Sequence, residues 1–385
     1  MSEQKKSRFK KERKTGVFDY TLLFIVLFLL CFGLVMLYSV SSYEANLKFG
    51  DSAYYLKKQL FATIFGIVVM VGVTFVNYHL WDHMPFIAYF ASLGLILLVL
   101  TPLGYEANGA KRWIKVGFSL QPAEVAKVGM IIFFAAWVSR FGKRIQSLKS
   151  TLFTIGLAIP VALSILFITE NLSSAIIIFC IVLMMIFVAT PNYKEYFLIG
   201  AVLIGIAAIV VLLVSKGILP EELSYRFSRI NAWLNPEKYA STTGFQTLQS
   251  LYAIGSGDLF GKGLGQSMQK LGFIPEAQND MIFSIICEEL GLFGATAIIL
   301  MFILMIWRFL IIANNASDEF GALLVVGVMA HISIQVILNI AVVTNAIPNT
   351  GITLPFISYG GSSIVFLLAE IGLVLSVSRG IRLEN

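Results

Sequence analysis

Apolar residues run along this chain in blocks of about twenty, separated by short polar stretches, which is the length a helix needs to cross a bilayer. Windows of that length give ten candidate spans, at approximately 19–41, 59–77, 85–103, 122–139, 151–169, 173–189, 196–214, 281–311, 321–344 and 358–378. The expected fold is therefore an all-α polytopic membrane protein of ten transmembrane helices, with one long extracellular loop, 215–280, between helices seven and eight. Residues 1–18 read as a basic cytoplasmic tail and 19–385 as a single membrane domain.

Composition agrees. Of the 385 residues, 58% are hydrophobic and only 13% charged, with a mean hydropathy of +0.84; a soluble domain carries about 25% charged residues. Cys31, Cys180 and Cys287 all fall in apolar blocks, far apart, with neither a metal-ligand spacing nor a disulfide framework. The net charge of +6 is concentrated in Lys5–Lys14, which holds seven Lys/Arg. With Phe9 as the only aromatic residue there, that run reads as an orientation signal rather than a nucleic-acid site. The first span is too long for a secretory signal and lacks a small-residue cleavage site, so it is expected to stay. With the N-terminus inside, short inner segments hold fifteen Lys/Arg, including Arg140, Lys143, Arg144, Lys149, Lys194, Arg308, Arg379 and Arg382. The outer side holds twelve, six of them in the long loop, where the positive-inside rule has little force. Both termini are thus expected to be cytoplasmic.

Two outer segments carry most of the polar chemistry. In 104–121, Lys111-Arg112-Trp113 places two cations beside an aromatic ring: Arg offers a planar fork for phosphate and Lys a point charge, while Trp113 suits a membrane-interface belt or stacking on a sugar. In 215–280, the spacing of Tyr225, Phe227, Ile230, Trp233 and Leu234 within Pro220–Lys238 predicts an amphipathic surface helix, followed by a stretch rich in Gly and amides. A loop of this length is usually functional. No internal repeat is evident, which weakens an inverted-repeat transporter reading.

That loop ends on Glu276 and Asp280, where the eighth span begins. Asp280 reads either as a helix cap or as a functional acid, since an ionisable group at a membrane boundary is costly unless used. Asp280, Ser284 and Glu288 recur every four residues and are expected to face a polar cavity, with Glu289 on a neighbouring face. At the start of span four, Pro122 suits the first helical turn, and Glu124 and Lys127, three apart, are expected to neutralise one another as structural support. His331, Gln335 and Asn339 share a face of span nine that suits hydrogen bonding between helices or, less simply, a proton relay. The chain has no P-loop, His-Glu-x-x-His motif or Gly-x-Ser-x-Gly elbow, so nucleotide, zinc and serine-hydrolase chemistry lack support.

Several motifs together resemble the SEDS family (shape, elongation, division and sporulation proteins). They are Gly109-Ala-Lys-Arg-Trp-Ile, Gln121-Pro-Ala-Glu124, Gly244-Phe-Gln with Gln249-Ser-Leu-Tyr-Ala-Ile-Gly-Ser-Gly, Gly261-Lys-Gly-Leu-Gly-Gln, Leu271–Asp280 and Gly351-Ile-Thr-Leu-Pro-Phe-Ile-Ser-Tyr-Gly-Gly-Ser-Ser363. The forms around Gln266 and Ile352 look closer to the division and sporulation branch than to rod elongation. Ala123 and Asn279 depart from the family's usual Ser and Thr, and neither changes a charge.

The resemblance implies a peptidoglycan glycosyltransferase of the bacterial cytoplasmic membrane. It would polymerise lipid II (undecaprenyl diphosphate-linked disaccharide peptide) on the outer face, with a class B penicillin-binding protein transpeptidase and other divisome proteins as partners. It places the essential aspartate at Asp280 and the important loop tryptophan at Trp113. Inverting transfer then needs one general base, Asp280, and cations for the departing diphosphate, Lys111 and Arg112. Gln121 and Glu276 join Trp113 as expected substrate contacts, with Glu124, Lys127, Ser284 and Glu288 as support. No cofactor is required by any motif, although Glu276 and Asp280 together with the diphosphate suit a divalent cation, Mg or Mn. The competing readings are a lipid II flippase and a non-catalytic scaffold of the division machinery.

Overall fold

The computed structural model describes residues 18–107, 110–116, 118–141, 148–190, 193–216 and 228–381. The basic run Lys5–Lys14, Lys143 and Arg144, Arg382, and the start of the expected amphipathic segment with Tyr225 and Phe227 lie outside the described residues.

The chain is mostly helical. Helices α1 (Tyr20–Phe49), α2 (Tyr54–Phe75), α3 (His79–Asp82) and α4 (Pro85–Leu98) are followed by α5 (Pro122–Phe141), α6 (Leu148–Gly156), α7 (Ile159–Ile168), α8 (Leu172–Ala189) and α9 (Tyr193–Ser215). Then come α10 (Ser228–Leu234), α11 (Phe245–Ser256), α12 (Ile282–Asn314), α13 (Glu319–Val343) and α14 (Gly361–Gly380). Among the described residues, eight segments are long and apolar enough to cross a membrane: α1, α2, α5, Lys149–Ile168 (α6 with α7), α8, α12, α13 and α14. The 14-residue α4 and the 23-residue α9 occupy the positions of the other two expected spans.

The all-α expectation fails at 104–120. Strands β1 (Gly104–Ala107), β2 (Ala110–Val116) and β3 (Phe118–Leu120) form an antiparallel three-stranded sheet in the order β1-β2-β3. Residues alternate there with period two rather than 3.6: Ile114 is buried while Lys115, next to it, is exposed. Ala107 pairs with Ala110, and the intervening sequence Asn108-Gly109 is of the type tight hairpin turns favour.

Helix α13 is the central column, buried over most of its length, and packs against α12, α8, α5 and α14. Around it, α14 lies on α2, α4 on α5, and α1 on α2 and α12. One end of the bundle is tied by ion pairs: Asp19, which also caps α1, with Arg308 (2.7 Å), His79 with Asp318 (3.1 Å) and Arg140 with Asp82 (3.0 Å). The sheet, α10, α11 and the loops 257–281 and 344–360 gather at the other end.

Helix α12 is not continuous. Gly291 sits at φ 67° and ψ −168°, which breaks the hydrogen-bond ladder. Loop 257–263 fills the break: Lys262 N donates to Glu288 O and Gly263 N to Glu289 O, both at 2.9 Å. In return Leu292 N donates to Asp258 O (3.0 Å) and Phe293 N to Leu259 O (3.2 Å). Only glycine fits where the loop touches the helix, because a Cβ at Gly261 (φ 77°) would stand 2.2 Å from Glu289 O.

Candidate active site

Asp280 stands two residues before α12, at the end away from the ion pairs. It does not cap that helix: the residue preceding α12 is Met281, with no side-chain cap. Its backbone is instead fixed by Asn339 on α13, whose Nδ2 donates to the carbonyls of Asp280 (2.8 Å) and Ile352 (2.7 Å). Its side chain meets α11, where Gln246 Nε2 donates to Asp280 Oδ1 (3.3 Å) and to Pro275 O (3.3 Å). Gln246 Oε1 accepts from Asn349 Nδ2 at 2.9 Å, and Asn349 O accepts from Arg229 on α10 at 3.3 Å.

Arg229, Gln246, Pro275 and Asn349 of this network line a cavity of about 280 Å³ together with Thr242 and Thr243, and Asp280 lies behind that lining, joined to it through Gln246. Burial, with the nearby negative charge of Glu276, pushes the Asp280 carboxyl up to about 6; the positive charge of Arg229 and the Gln246 hydrogen bond act the other way. A carboxylate that titrates near neutral pH, beside a polar cavity, is equipped to take up a proton.

Glu276 lies one turn of loop earlier, in the left-handed region at φ 49°, and accepts from Asn279 Nδ2 at 2.9 Å. The two acids are therefore near enough to feel each other, and Asp280 is the one drawn into the Gln246–Asn349 network. Among the described residues no cluster of three or more His, Cys, Asp and Glu side chains can hold a metal ion.

The cationic block sits on β2 at the same end. Arg112 Nε and Nη2 donate to the backbone carbonyls of Thr169 (3.1 Å) and Glu170 (2.9 Å), so the side chain closes the turn between α7 and α8. Burial and the charge of Arg229 pull its guanidinium down from the ordinary value. Arg229 thus acts on both Arg112 and Asp280, linking the two halves of the expected site. Lys111 Nζ leans back on Thr101 O at 3.4 Å. Trp113, partly buried, pairs with Tyr105 across the sheet, and Gln121, also partly buried, accepts from Glu124 N at 3.0 Å through its carbonyl.

The support residues divide. Glu124 and Lys127 pair at 2.8 Å, buried within the bundle, with Ser363 Oγ on Glu124 (3.2 Å) and Gln335 Oε1 near Lys127 (3.5 Å). That is the neutralised pair expected from their spacing. The stripe below Asp280 does not face an open cavity as expected. Ser284 Oγ donates to Met281 O (2.7 Å), and the buried Glu288 collects Lys262 Nζ (2.6 Å), Ser267 Oγ, Met268 N (3.2 Å) and Gln269 N (3.4 Å). Glu289 likewise holds Lys270 Nζ and Ser39 Oγ, each at 2.8 Å. Both acids thus bind the glycine-rich loop into the protein.

On α13, His331 Nδ1 lies 2.8 Å from Glu370 on α14, and Gln335 Nε2 donates to Thr353 O at 3.0 Å, so that face makes hydrogen bonds to its neighbours. Glu370, buried in an apolar span, was overlooked although its charge there was signal enough. Arg229, Gln246 and Asn349 were also missed as site residues; their types are common in loops, and only the fold brings them to Asp280.

A family model for cell cycle proteins of the FtsW, RodA and SpoVE type matches residues 20–383. The chain belongs to the FtsW/RodA/SpoVE family. Within it, this FtsW/RodA/SpoVE chain is 41% identical to the stage V sporulation protein E of Bacillus subtilis (strain 168), over 94% of this chain and 97% of that protein. It is 37% identical to the probable peptidoglycan glycosyltransferase FtsW of Trichlorobacter lovleyi, over 97% of this chain and 96% of that one. Its fold matches a solved chain from a peptidoglycan synthase complex that coordinates polymerization and crosslinking, with TM-score 0.78 and 27% identity over 94% of this chain and 98% of that chain. It also matches the rod shape determining protein RodA of Thermus thermophilus, with TM-score 0.69 and 25% identity over 96% and 99%. Membership accounts for the family motifs clustering at one end of the bundle: the FtsW/RodA/SpoVE blocks around Gln246, Asp280 and Gly351 meet there.

Proposed function

We propose that the chain is a peptidoglycan glycosyltransferase that polymerises lipid II on the outer face of the bacterial cytoplasmic membrane, with Asp280 as the general base of an inverting transfer. The observation that carries this reading is the buried Asp280 carboxyl, pushed up to about 6 and bound by Gln246, which itself lines a polar cavity. In the reaction the acceptor sugar hydroxyl oxygen attacks the anomeric carbon of the donor. Its proton passes to Asp280, and the bond from that carbon to the diphosphate breaks. The diphosphate leaves on its lipid, its charge offset by Arg229 and Arg112, with Lys111 further along the sheet. A single base suffices because the donor configuration is inverted and no covalent intermediate forms. Glu276 tunes that base, and Trp113 and Gln121 would line the approach from the sheet.

In this reading the ten segments α1, α2, α4, α5, α6 with α7, α8, α9, α12, α13 and α14 each cross once, and both termini are cytoplasmic. Glu276 and Asp280 are the residues that would hold a divalent cation, which would help offset the charge of the departing diphosphate. The protein would work with a class B penicillin-binding protein that crosslinks the product strands. A flippase reading draws less support, since His331 Nδ1 meets Glu370 and Gln335 Nε2 meets Thr353, contacts that join helices of the bundle.

The test is glycan polymerisation from lipid II by purified protein with its partner. Removing a general base typically costs about 10²- to 10⁴-fold, so Asp280→Ala is expected to lose roughly that much rate while keeping its thermal stability. Wild-type polymerisation by Asp280→Ala would end the assignment.

A further inference from the structure

Loop 257–271 turns three polar side chains, Lys262, Ser267 and Lys270, toward the protein and several apolar ones outward, with Asp258 and Gln266 also exposed. Lys262, Ser267 and the amides of Met268 and Gln269 turn in to Glu288, and Lys270 to Glu289. Outward stand Leu259, Phe260, Leu264 and Met268, with Phe260 78% exposed, a degree of exposure that a water-facing loop would rarely give an aromatic ring. Phe260 stacks on Phe293 of α12 with ring centres 5.1 Å apart, and Phe293 and Leu292 are themselves exposed. The apolar surface of the loop is thus continuous with the outward face of a membrane-crossing helix.

The level of this surface follows from two helices independently. On α12, Arg308 pairs with Asp19 at the opposite end, and Glu288 lies twenty residues further up, ~30 Å of helix. On α1, twenty residues above Asp19 comes Ser39, again ~30 Å, and Ser39 donates to Glu289. A bilayer's hydrocarbon core is about 30 Å thick. If Asp19 and Arg308 mark one boundary, Ser39, Glu288 and Glu289 mark the other, and Leu259, Phe260 and Phe293 sit on it.

We infer that loop 257–271 is an interfacial membrane anchor, inserting Leu259, Phe260, Leu264 and Met268 among the acyl chains and headgroups of the nearer leaflet. Much of its backbone is paired, with the two sides of the break at Gly291, with Glu288 and within the loop itself, as irregular backbone near hydrocarbon requires. The occupant of the patch is lipid, by continuity with the lipid-facing side of α12. The inference does not depend on Asp280 being a base.

The experiment places single cysteines at Phe260→Cys and, as a second probe, Met268→Cys in the full chain carrying Cys31→Ser, reconstituted in lipid nanodiscs and spin-labelled. Collision with oxygen, which concentrates in the acyl region, is compared with collision with a water-soluble nickel chelate. Lys238→Cys on the polar loop and Leu300→Cys within α12 serve as references, and Cys31→Ser alone gives the background. The expected oxygen-to-nickel ratio at 260 and 268 lies above that at 238 and below that at 300. A ratio at both sites no higher than at 238 would place the loop in water and overturn the inference. Labels shielded from both reagents would mark a protein contact and overturn it equally.

Discussion

Gln246 donates to the Asp280 carboxylate at 3.3 Å across 34 positions of chain. This bond stabilises the charged form, and hydrogen bonds to charged groups contribute about 1.5–3 kcal/mol. Asp280 itself holds its proton up to about 6, against 3.8 in an unfolded chain, so this group's contribution to stability falls as pH rises through that window while the base form appears. The rate of polymerisation is therefore expected to fall on the acid side with a midpoint of about 6. Gln246→Leu should move that midpoint upward and lower the rate roughly tenfold at neutral pH. A pH–rate profile of the two proteins checks this, and an unmoved acid limb would remove Gln246 from the role.

Glu276 and Arg229 push Asp280 in opposite directions. Glu276→Gln removes a neighbouring negative charge, so the acid limb should shift down; Arg229→Ala removes a positive one, so it should shift up. Arg229→Ala should also raise the KM for lipid II, because the same cation would meet the diphosphate. Profiles moving in the same direction would contradict this arrangement.

The Glu124–Lys127 pair gives a stability prediction. Breaking a buried ion pair by removing one partner costs about 3–5 kcal/mol, whereas replacing both by apolar residues is often neutral. Lys127→Met should lower the thermal midpoint of the detergent-solubilised protein markedly, and Glu124→Leu combined with Lys127→Met should recover most of the loss.

At Gly261 a side chain would run into the backbone of Glu289 in a left-handed conformation. Gly261→Val is expected to unseat loop 257–263 and expose it to limited proteolysis, while Gly265→Val, also strained at φ 81° but with nothing within 4 Å of a built Cβ, should be milder. Equal protease resistance in Gly261→Val and the parent would show that the loop does not depend on this contact.

Much of the site was legible because its chemistry is local. Glu124 and Lys127 are three apart on one helix, so their pairing follows from helical geometry alone. Asp280 was conspicuous as an acid entering an apolar segment. Its cap reading failed because the direction of a side chain at a helix start depends on what surrounds it, and here Gln246, itself held by Asn349, takes the carboxylate. Glu288 was read as facing a cavity because its partners, Lys262 and Ser267, come from a loop whose path no periodicity encodes.

What the sequence by itself determined was the membrane class and the approximate spans, and it singled out Asp280 as a candidate, because twenty-residue apolar blocks and charges within them have few physical outcomes. Only the tertiary structure decided that 104–120 is a sheet, that Arg112 closes the α7–α8 turn, and that Arg229, Asn349 and Gln246 form a chain of hydrogen bonds reaching Asp280. Those outcomes rest on polar groups far apart in the chain finding one another once the helices pack, since a buried donor or acceptor must be paired and the sequence does not say with which.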